Sequence, residues 1–215
     1  MADSQPQQKR GCLFYIGVIA AVLVVVFALG AIFGIRYAHQ MVGQLTDKDP
    51  VPLPTTQLPE AQMFELKDRV DTFRDAVKNG EPAEPLELSA DELNALIATD
   101  PAFASLKNHL YVMISSNQLS AKISFPAEDL GLVRLRGRYV NAEGLFNVRL
   151  TNEQLEIRAD LLKVKGKLLP RNIMREIARE NLADRFNQDP RASAGLRKLK
   201  AIEVKDGKLV IVPKK

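Results

Sequence analysis

Tryptophan is absent from this sequence of 215 residues, which has only one cysteine and two histidines. Because Cys12 stands alone, an intramolecular disulfide is excluded, and the two histidines are too few for sites built from several Cys or His ligands. A hydrolase of the Ser–His–Asp type could use only His109 in the folded part, and no Gly-x-Ser-x-Gly motif accompanies it. The sequence therefore predicts a non-catalytic protein without cofactor or metal, although carboxylate metal sites stay formally open.

Charge is unevenly distributed, although the net charge is only +4. Residues 36–130 contain 8 Lys and Arg against 15 Asp and Glu, whereas residues 131–215 contain 20 against 10. No aromatic residues alternate with the basic ones, as they do on nucleic-acid-binding surfaces. The sequence predicts a basic C-terminal half and no nucleic-acid partner.

One long uncharged run, residues 13–35, lies near the N-terminus. At about 1.5 Å per residue, its 23 residues would extend roughly 34 Å as a helix, enough to cross a hydrocarbon core of about 30 Å. A cleavable signal peptide has a shorter apolar stretch, and Arg36 and Tyr37 are typical of an interfacial anchor. We expect a transmembrane helix over residues 11–36. The head, residues 1–10, contains Lys9 and Arg10, so it is predicted to be cytoplasmic and the rest extracytoplasmic.

Smaller features of this region leave alternatives open. Gly30 and Gly34 have the small-xxx-small spacing that lets two membrane helices approach closely, so a homodimer through them is one interpretation. The other interpretation is that the two glycines have no role in dimerisation, because glycine is common in membrane helices. Cys12 is either an inert thiol or a site for S-palmitoylation.

A proline-rich segment and a helix are predicted next. Residues 37–60 contain four prolines and predict an extended linker that holds the domain away from the bilayer. The extracytoplasmic domain then covers residues 61–215. Its first element is an amphipathic helix over residues 61–79 that ends at Gly80, and we interpret its apolar face as core packing. That face contains Phe64, Leu66, Val70, Phe73 and Val77.

Two further helix starts can be identified from local motifs. Ser89 and Glu92 form the Ser-x-x-Glu capping box, which predicts a helix over residues 90–98. Pro170 opens a predicted helix that extends to about residue 188.

From residue 110 the apolar residues alternate with a period of two, which is typical of β-strands. Five strands are predicted, over residues 110–116, 119–125, 133–140, 145–151 and 155–169. Their connections are too short for parallel crossovers, so the strands form an antiparallel meander. In the strand over residues 155–169, the apolar residues lie at odd-numbered positions up to Leu161 and at even-numbered positions from Leu162. This change predicts a β-bulge, which would keep both halves facing the core. Asp206 and Gly207 predict a type I′ hairpin between residues 201–205 and 209–212.

Six basic residues on two predicted strands are candidates for contact with an anionic surface. They are Arg134, Arg136, Arg138, Lys163, Lys165 and Lys167. Each set of three alternates along its strand and should project from one face. Anionic lipid headgroups or envelope polymers would bind such a surface. The alternative is the solvated face of a half-buried sheet.

Residues 88–97, LSADELNALI, contain a wider motif around the capping box. It resembles the early Leu-Thr/Ser-x-x-Glu-Leu-Asn-x-Leu-Ile helix of small single-pass bacterial proteins of the YpmS kind. The order of elements over residues 86–213 is similar, whereas the basic strands and the acidic helix before them depart from the family. The resemblance implies a curved sheet that wraps a helix and leaves an apolar groove for a lipid or other hydrophobic ligand.

Together these features predict an α+β fold: an N-terminal transmembrane helix, then a curved antiparallel β-meander packed against amphipathic helices. The predicted function is that of a single-pass protein of a bacterial cell membrane that binds a lipid or another amphiphile. The alternative is an interaction or scaffold subunit of a membrane complex. A cavity lined by Ile, Val and Leu would favour the first function, and an exposed stripe of Phe64 and Phe73 the second.

Overall fold

The computed structural model describes residue 43 and residues 45–129 and 135–214, without the side chains of Arg185 and Arg191. The chain divides into two compact units, Met1–Gln44 and Leu45–Lys215. Among the described residues, none of the helices has the length and apolar character needed to span a membrane. The predicted span, with Gly30 and Gly34, lies outside them and stays a prediction.

The second unit is an α+β arrangement with antiparallel strands, as predicted, and its strands form two sheets. One sheet has the strand order β2-β3-β4-β5-β6 and the other β1-β8-β7. The elements are α1 (Glu60–Asn79), β1 (Leu86–Ser89), α2 (Ala90–Thr99), β2 (Leu110–Ser115), β3 (Gln118–Pro126), β4 (Tyr139–Thr151), β5 (Gln154–Val164), β6 (Lys167–Leu168), α3 (Arg171–Ile177), α4 (Asp184–Gln188), α5 (Pro190–Leu196), β7 (Leu199–Lys205) and β8 (Lys208–Pro213).

The apolar core lies where α1 and α2 meet β1. Its buried members are Leu66, Leu86, Leu88, Ala95 and Leu96. Helix α1 ends at Gly80, whose φ of 75° is the left-handed conformation expected of a glycine cap. Phe73 packs against the core as predicted, but Phe64 is 75% exposed, so its predicted place on the packed face is wrong. Leu66, also predicted on this face, is buried as predicted, and it lies one turn from Val70 on the same side of the helix.

Local capping decides where α2 begins. Glu92 N donates to Ser89 Oγ at 3.2 Å, and Ser89 N donates to the Glu92 carboxylate at 2.8 Å. The amides of Ser89 and Glu92 at the helix start are therefore satisfied, and the predicted capping box is confirmed.

Strand β4 is continuous through residues 141–144, where the sequence predicted a turn between two strands. The prediction was wrong because Asn141 and Gly144 serve packing here and not chain reversal. Asn141 is buried, at 7% exposed. A Cβ atom at Gly144 would lie 2.5 Å from the Leu161 carbonyl oxygen, so only glycine lets the two strands approach this closely.

The bulge predicted in β5 is confirmed, displaced by one residue. Leu145 pairs with Leu161 and Phe146 with Ala159, which leaves Asp160 as the extra residue. The strand does not continue to residue 169, however. It stops at Val164, and the short strand β6 returns alongside it.

The C-terminal part also combines a correct and an incorrect prediction. The hairpin at Asp206 and Gly207 is confirmed, with φ of 51° and 79° as a type I′ turn requires. The single helix predicted over residues 170–188 is wrong, since α3 stops at Ile177 and α4 begins only at Asp184. Asn181 lies between them and bonds to the sheet, as described next.

Asparagine side chains bond to backbone groups at two open edges of the five-stranded sheet, the outer strand β2 and the part of β5 that the short β6 leaves unpaired. At β2, Asn94 Nδ2 donates to Val112 O at 2.7 Å, and Val112 N donates to Asn94 Oδ1 at 2.8 Å. At β5, Asn181 bonds to Ile157 N and Leu155 O at 2.9 and 3.0 Å. Unpaired edge groups are a template for aggregation, so these amides replace the missing neighbour strands.

Asn187 reinforces the closure at β5. It accepts from Leu155 N at 3.0 Å and donates to Leu155 O at 2.9 Å. The chain around α4 is therefore fastened to the sheet through two side chains, and it follows the edge of β5 closely.

Candidate functional site

The predicted basic residues do not form two aligned rows. Arg136 and Arg138 precede β4 in a turn, so the strand predicted over residues 133–140 is not formed there. Lys163 lies on β5, Lys165 in the following turn and Lys167 on β6. Arg134 lies outside the described residues.

Three of these six side chains bind groups within the domain. Arg138 donates to Thr46 Oγ1 at 2.5 Å and to Thr46 O at 2.9 Å. Lys165 Nζ lies 2.8 Å from Asp47 Oδ1, and Lys163 Nζ lies 3.8 Å from Glu143 Oε1. Arg136 and Lys167 are exposed. Contact with an anionic surface stays a prediction for these two.

The internal bonds fasten residues 46–51, which we call the docked segment, to the five-stranded sheet. Asp47 and Tyr139 exchange two backbone hydrogen bonds of 2.8 Å each. Thr46 is only 1% exposed. Residues 46–51 of the predicted linker are therefore packed against the domain and do not act as a free spacer.

A buried amide is the centre of this attachment. Asn141 Oδ1 accepts from Ser124 Oγ at 2.8 Å and from Val51 N at 3.2 Å. Its Nδ2 donates to Asp47 Oδ2 at 3.0 Å and to Asp49 O at 2.9 Å. Asn141 thus uses both ends of its amide to hold three residues of the docked segment.

The Asp47 carboxylate completes the attachment. Partial burial opposes its ionisation, but hydrogen bonds from Lys165 and Asn141 and the charges of Lys165 and Arg138 together outweigh this effect. The pKa of Asp47 therefore lies below its usual value.

Acidification is expected to loosen the docked segment. Because the folded-state pKa of Asp47 is depressed, its contribution is full above the unfolded pKa of about 3.9 and is lost as the pH falls through the folded value. We expect hydrogen-exchange protection of residues 45–51 to hold from neutral pH down to about pH 4 and to fall below it. Peptide-resolved mass spectrometry, with intrinsic exchange rates corrected for pH, measures this.

Lysine variants separate the Asp47 effect from general acid unfolding. Lys165→Met should lower the protection of residues 45–51 already at neutral pH, since it removes the 2.8 Å partner of Asp47. Lys163→Met, whose partner is Glu143, should leave that protection unchanged. Protection that stays constant in Lys165→Met would contradict the assigned role of the pair.

A cleft of about 460 Å³ opens between residues 50–56, α2 and the start of β2. Its apolar lining comes from Pro50, Val51, Pro52, Leu53, Pro54, Ile97, Ala98 and Leu110. Tyr111, Tyr139 and His109 add groups that can form hydrogen bonds. The docked segment holds one wall of this cleft in place.

This cleft differs from the cavity that the sequence predicted. The strands contribute only Leu110, Tyr111 and Tyr139 to it, and the proline-rich chain provides much of the rest. Three larger clefts, of about 840, 610 and 520 Å³, have linings with charged residues, including Arg69, Lys163 and Lys214 respectively. The smaller cleft is therefore the better candidate for an apolar ligand.

His109 is held by the backbone at the side of this cleft. Its Nδ1 lies 2.7 Å from Ser124 O, and since a carbonyl oxygen only accepts, Nδ1 carries the hydrogen. The ring stacks on Phe125 with centroids 5.2 Å apart. In the described part of the chain, no group of three or more His, Cys, Asp or Glu side chains could hold a metal ion.

Comparisons with protein-family models, curated proteins and solved structures find no match to this chain. The resemblance of residues 88–97 to YpmS-like proteins therefore stays a prediction.

The sequence did not reveal the docked segment or the cleft beside it. Proline spacing correctly indicated extended chain, but the partners Ser124 and Asn141 lie 73 and 90 residues from Val51 in the sequence. The local pattern did not indicate this contact either: Ser124 is a polar residue in a predicted strand, Asn141 was predicted to lie in a turn, and both prove to be buried.

Proposed function

We propose that this protein is a non-catalytic, single-pass membrane protein whose α+β domain binds a lipid or another amphiphile in the cleft beside residues 50–56. The predicted transmembrane helix, residues 11–36, attaches the domain to a bacterial cell membrane with the N-terminus cytoplasmic. The observation that carries the proposal is the apolar cleft with its few polar groups, a combination typical of small-molecule sites.

The chemistry of the cleft suits a ligand with an apolar chain and a polar end. Each methylene that leaves water for an apolar wall contributes about 0.8 kcal/mol. The hydroxyl groups of Tyr111 and Tyr139 can bind the polar end. Binding of such a ligand requires no catalytic residues, which agrees with the lack of a catalytic motif in the sequence.

Docking of residues 46–51 also shortens the tether between the proposed span and the domain. Only residues 37–45 remain between them, and nine residues reach at most about 32 Å. A tether of this length keeps the cleft near the bilayer, which is the source of amphiphiles.

Photocrosslinking in lipid nanodiscs tests the proposal on the full chain. A fatty acid with a diazirine group is incorporated, irradiated, and its attachment sites are mapped by mass spectrometry. We expect labels in residues 50–56 and around Ile97, in addition to labels in residues 13–35 from surrounding lipid. Ala98→Trp should fill the cleft and reduce the labelling of residues 50–56 and Ile97 at least about threefold, because a bulky side chain excludes the ligand.

Ala102→Trp is the matched control, since Ala102 is exposed and does not line the cleft. This variant should leave the labels at the cleft and the labels in residues 13–35 unchanged. Absence of labels at residues 50–56, with residues 13–35 labelled, would refute amphiphile binding and leave the membrane attachment standing.

The scaffold alternative has weaker support. That alternative would be favoured by an exposed stripe of Phe64 and Phe73. Of these two residues, Phe73 packs against the core and only Phe64 is exposed. A single exposed aromatic residue is common on protein surfaces and does not mark a contact by itself.

A further inference from the structure

The cleft beside residues 50–56 has no charged side chain among the described residues that line it. Asp, Glu, Lys and Arg make up 26% of the chain, yet none of these lining residues is one of them. The three larger clefts, by contrast, all have charged residues in their linings. An ionised headgroup that enters the cleft loses hydration and finds no opposite charge in this lining, which is costly. The lining therefore favours an uncharged ligand.

His109 sharpens this selection, because one of its ring nitrogens is already in use. Nδ1 donates to Ser124 O at 2.7 Å, and the ring stacks on Phe125. In a neutral imidazole that donates through Nδ1, the other nitrogen, Nε2, is an acceptor. Among the described residues, Nε2 has no hydrogen-bond partner. A ligand satisfies it by donating a hydrogen bond, which an ionised carboxylate or a phosphate diester cannot do.

The two tyrosine hydroxyl groups of the cleft extend this pattern. Tyr111 and Tyr139 are half-buried, and neither hydroxyl forms a hydrogen bond within the described part of the chain. A phenolic hydroxyl both donates and accepts, as an alcohol does. An alcohol headgroup therefore matches each of these hydroxyls and also His109 Nε2.

The size of the cleft limits the apolar part of the ligand. Its volume of about 460 Å³ lies in the lower half of the range of small-molecule sites, which is about 300 to 1,000 Å³. A ligand with a single apolar chain suits a cleft of this size better than one with two chains.

We infer that the ligand is an amphiphile with one apolar chain and an uncharged headgroup that carries hydroxyl groups, as in an acylglycerol or a glycosylated alkyl chain. His109, Tyr111 and Tyr139 determine its preference over anionic lipids. The inference rests on the proposed function, since it names the ligand class of the same cleft. A fatty acid meets the requirement only as the protonated acid, whose O–H group donates.

Two photoreactive lipids that differ in one group test this preference on the full chain in phosphatidylcholine nanodiscs. One is a monoacylglycerol with a diazirine in its acyl chain, and the other carries a phosphate on the terminal hydroxyl of the same molecule. Labels are mapped by mass spectrometry at about pH 8, where the phosphate is ionised. Relative to the labels in residues 13–35, we expect the monoacylglycerol to label residues 50–56 at least about fivefold more than the phosphate probe does.

His109→Asn tests the acceptor by itself. The asparagine amide can replace Nδ1 as the donor to Ser124 O, but it has no group at the position of Nε2. We expect the preference for the monoacylglycerol to fall to about twofold or less, while labelling by the phosphate probe changes little.

Tyr139→Phe is a second variant, which decides the question if His109→Asn does not fold. It loses only a hydroxyl group and should lower labelling by the monoacylglycerol about twofold. Thr72→Val is the matched control, since it removes an exposed hydroxyl that lines a different cleft. This control should leave the preference unchanged.

The outcomes separate this inference from the proposed function. Equal or stronger labelling of residues 50–56 by the phosphate probe overturns the ligand class and leaves amphiphile binding in place. Absence of labels at residues 50–56 from both probes overturns both. A preference that persists unchanged in His109→Asn and Tyr139→Phe overturns the role of these side chains. A third probe, with a glucosyl headgroup on the same chain, separates the two sources of this headgroup chemistry, because the stronger label identifies the one that fits.

Discussion

Replacement of Asn141 by leucine is expected to lower the free energy of unfolding by about 3 kcal/mol and to release the docked segment. The leucine side chain has a similar size but cannot form the four hydrogen bonds of the amide. Ser124 Oγ is fully buried and loses its acceptor. Guanidinium unfolding of the full chain in detergent micelles, followed by circular dichroism, measures the loss.

Asn147→Leu is the matched control, because Asn147 lies on the same strand and is exposed. It should change the free energy of unfolding by less than about 0.5 kcal/mol. Hydrogen exchange distinguishes release of the docked segment from destabilisation of the whole domain. In Asn141→Leu, residues 45–51 should lose more protection, relative to the natural protein, than the β7–β8 hairpin does. Equal losses in both segments would contradict the assigned role of Asn141.

Asn94→Leu is the second substitution with a large expected effect. Leucine fits the apolar surroundings of α2, where Ala95 and Leu96 are buried, yet it leaves Val112 N and O without their partners. Because unsatisfied buried backbone groups cost about 1 to 3 kcal/mol each, we expect a loss of about 2 to 4 kcal/mol in the free energy of unfolding. The opened edge of β2 should also promote aggregation, measured by light scattering during unfolding.

An exposed amide supplies the comparison for this second case. Gln62→Leu on α1 also changes an amide to an apolar side chain on a helix, but Gln62 is exposed. The free energy of unfolding of Gln62→Leu should stay within about 0.5 kcal/mol of that of the natural protein. A gain of stability in Asn94→Leu would show that burial of leucine outweighs the two lost hydrogen bonds and that Asn94 does not protect the edge.

Elements with strong local signals could be predicted from the sequence. The capping box of Ser89 and Glu92 fixes the start of α2 within one turn, and Asp206-Gly207 fixes a hairpin within two residues. The change of parity near Leu161 reports a bulge because side chains alternate strictly along a strand. Each signal depends on residues only a few positions apart.

Elements whose polar residues bond to distant parts of the chain were mispredicted. Asn141 and Gly144 predict a turn by their local preferences, but the partner strands on both sides hold them in a continuous β4. Asn181 interrupts a helical pattern because its side chain bonds to Leu155 and Ile157, about 25 residues earlier. Tertiary hydrogen bonds outweighed local propensity in both cases.

The sequence by itself determined the α+β class, the antiparallel pairing and the main local signals, because hydrophobic period and short connections are properties of neighbouring residues. Only the tertiary structure decided which basic residues are free. Arg138, Lys163 and Lys165 have partners within the domain, whereas Arg136 and Lys167 are exposed. The physical reason is that a basic side chain binds the hydrogen-bond acceptors or carboxylates that the fold brings within a few ångströms. For Arg138 and Lys165 these are Thr46 and Asp47, more than 90 residues away in the chain.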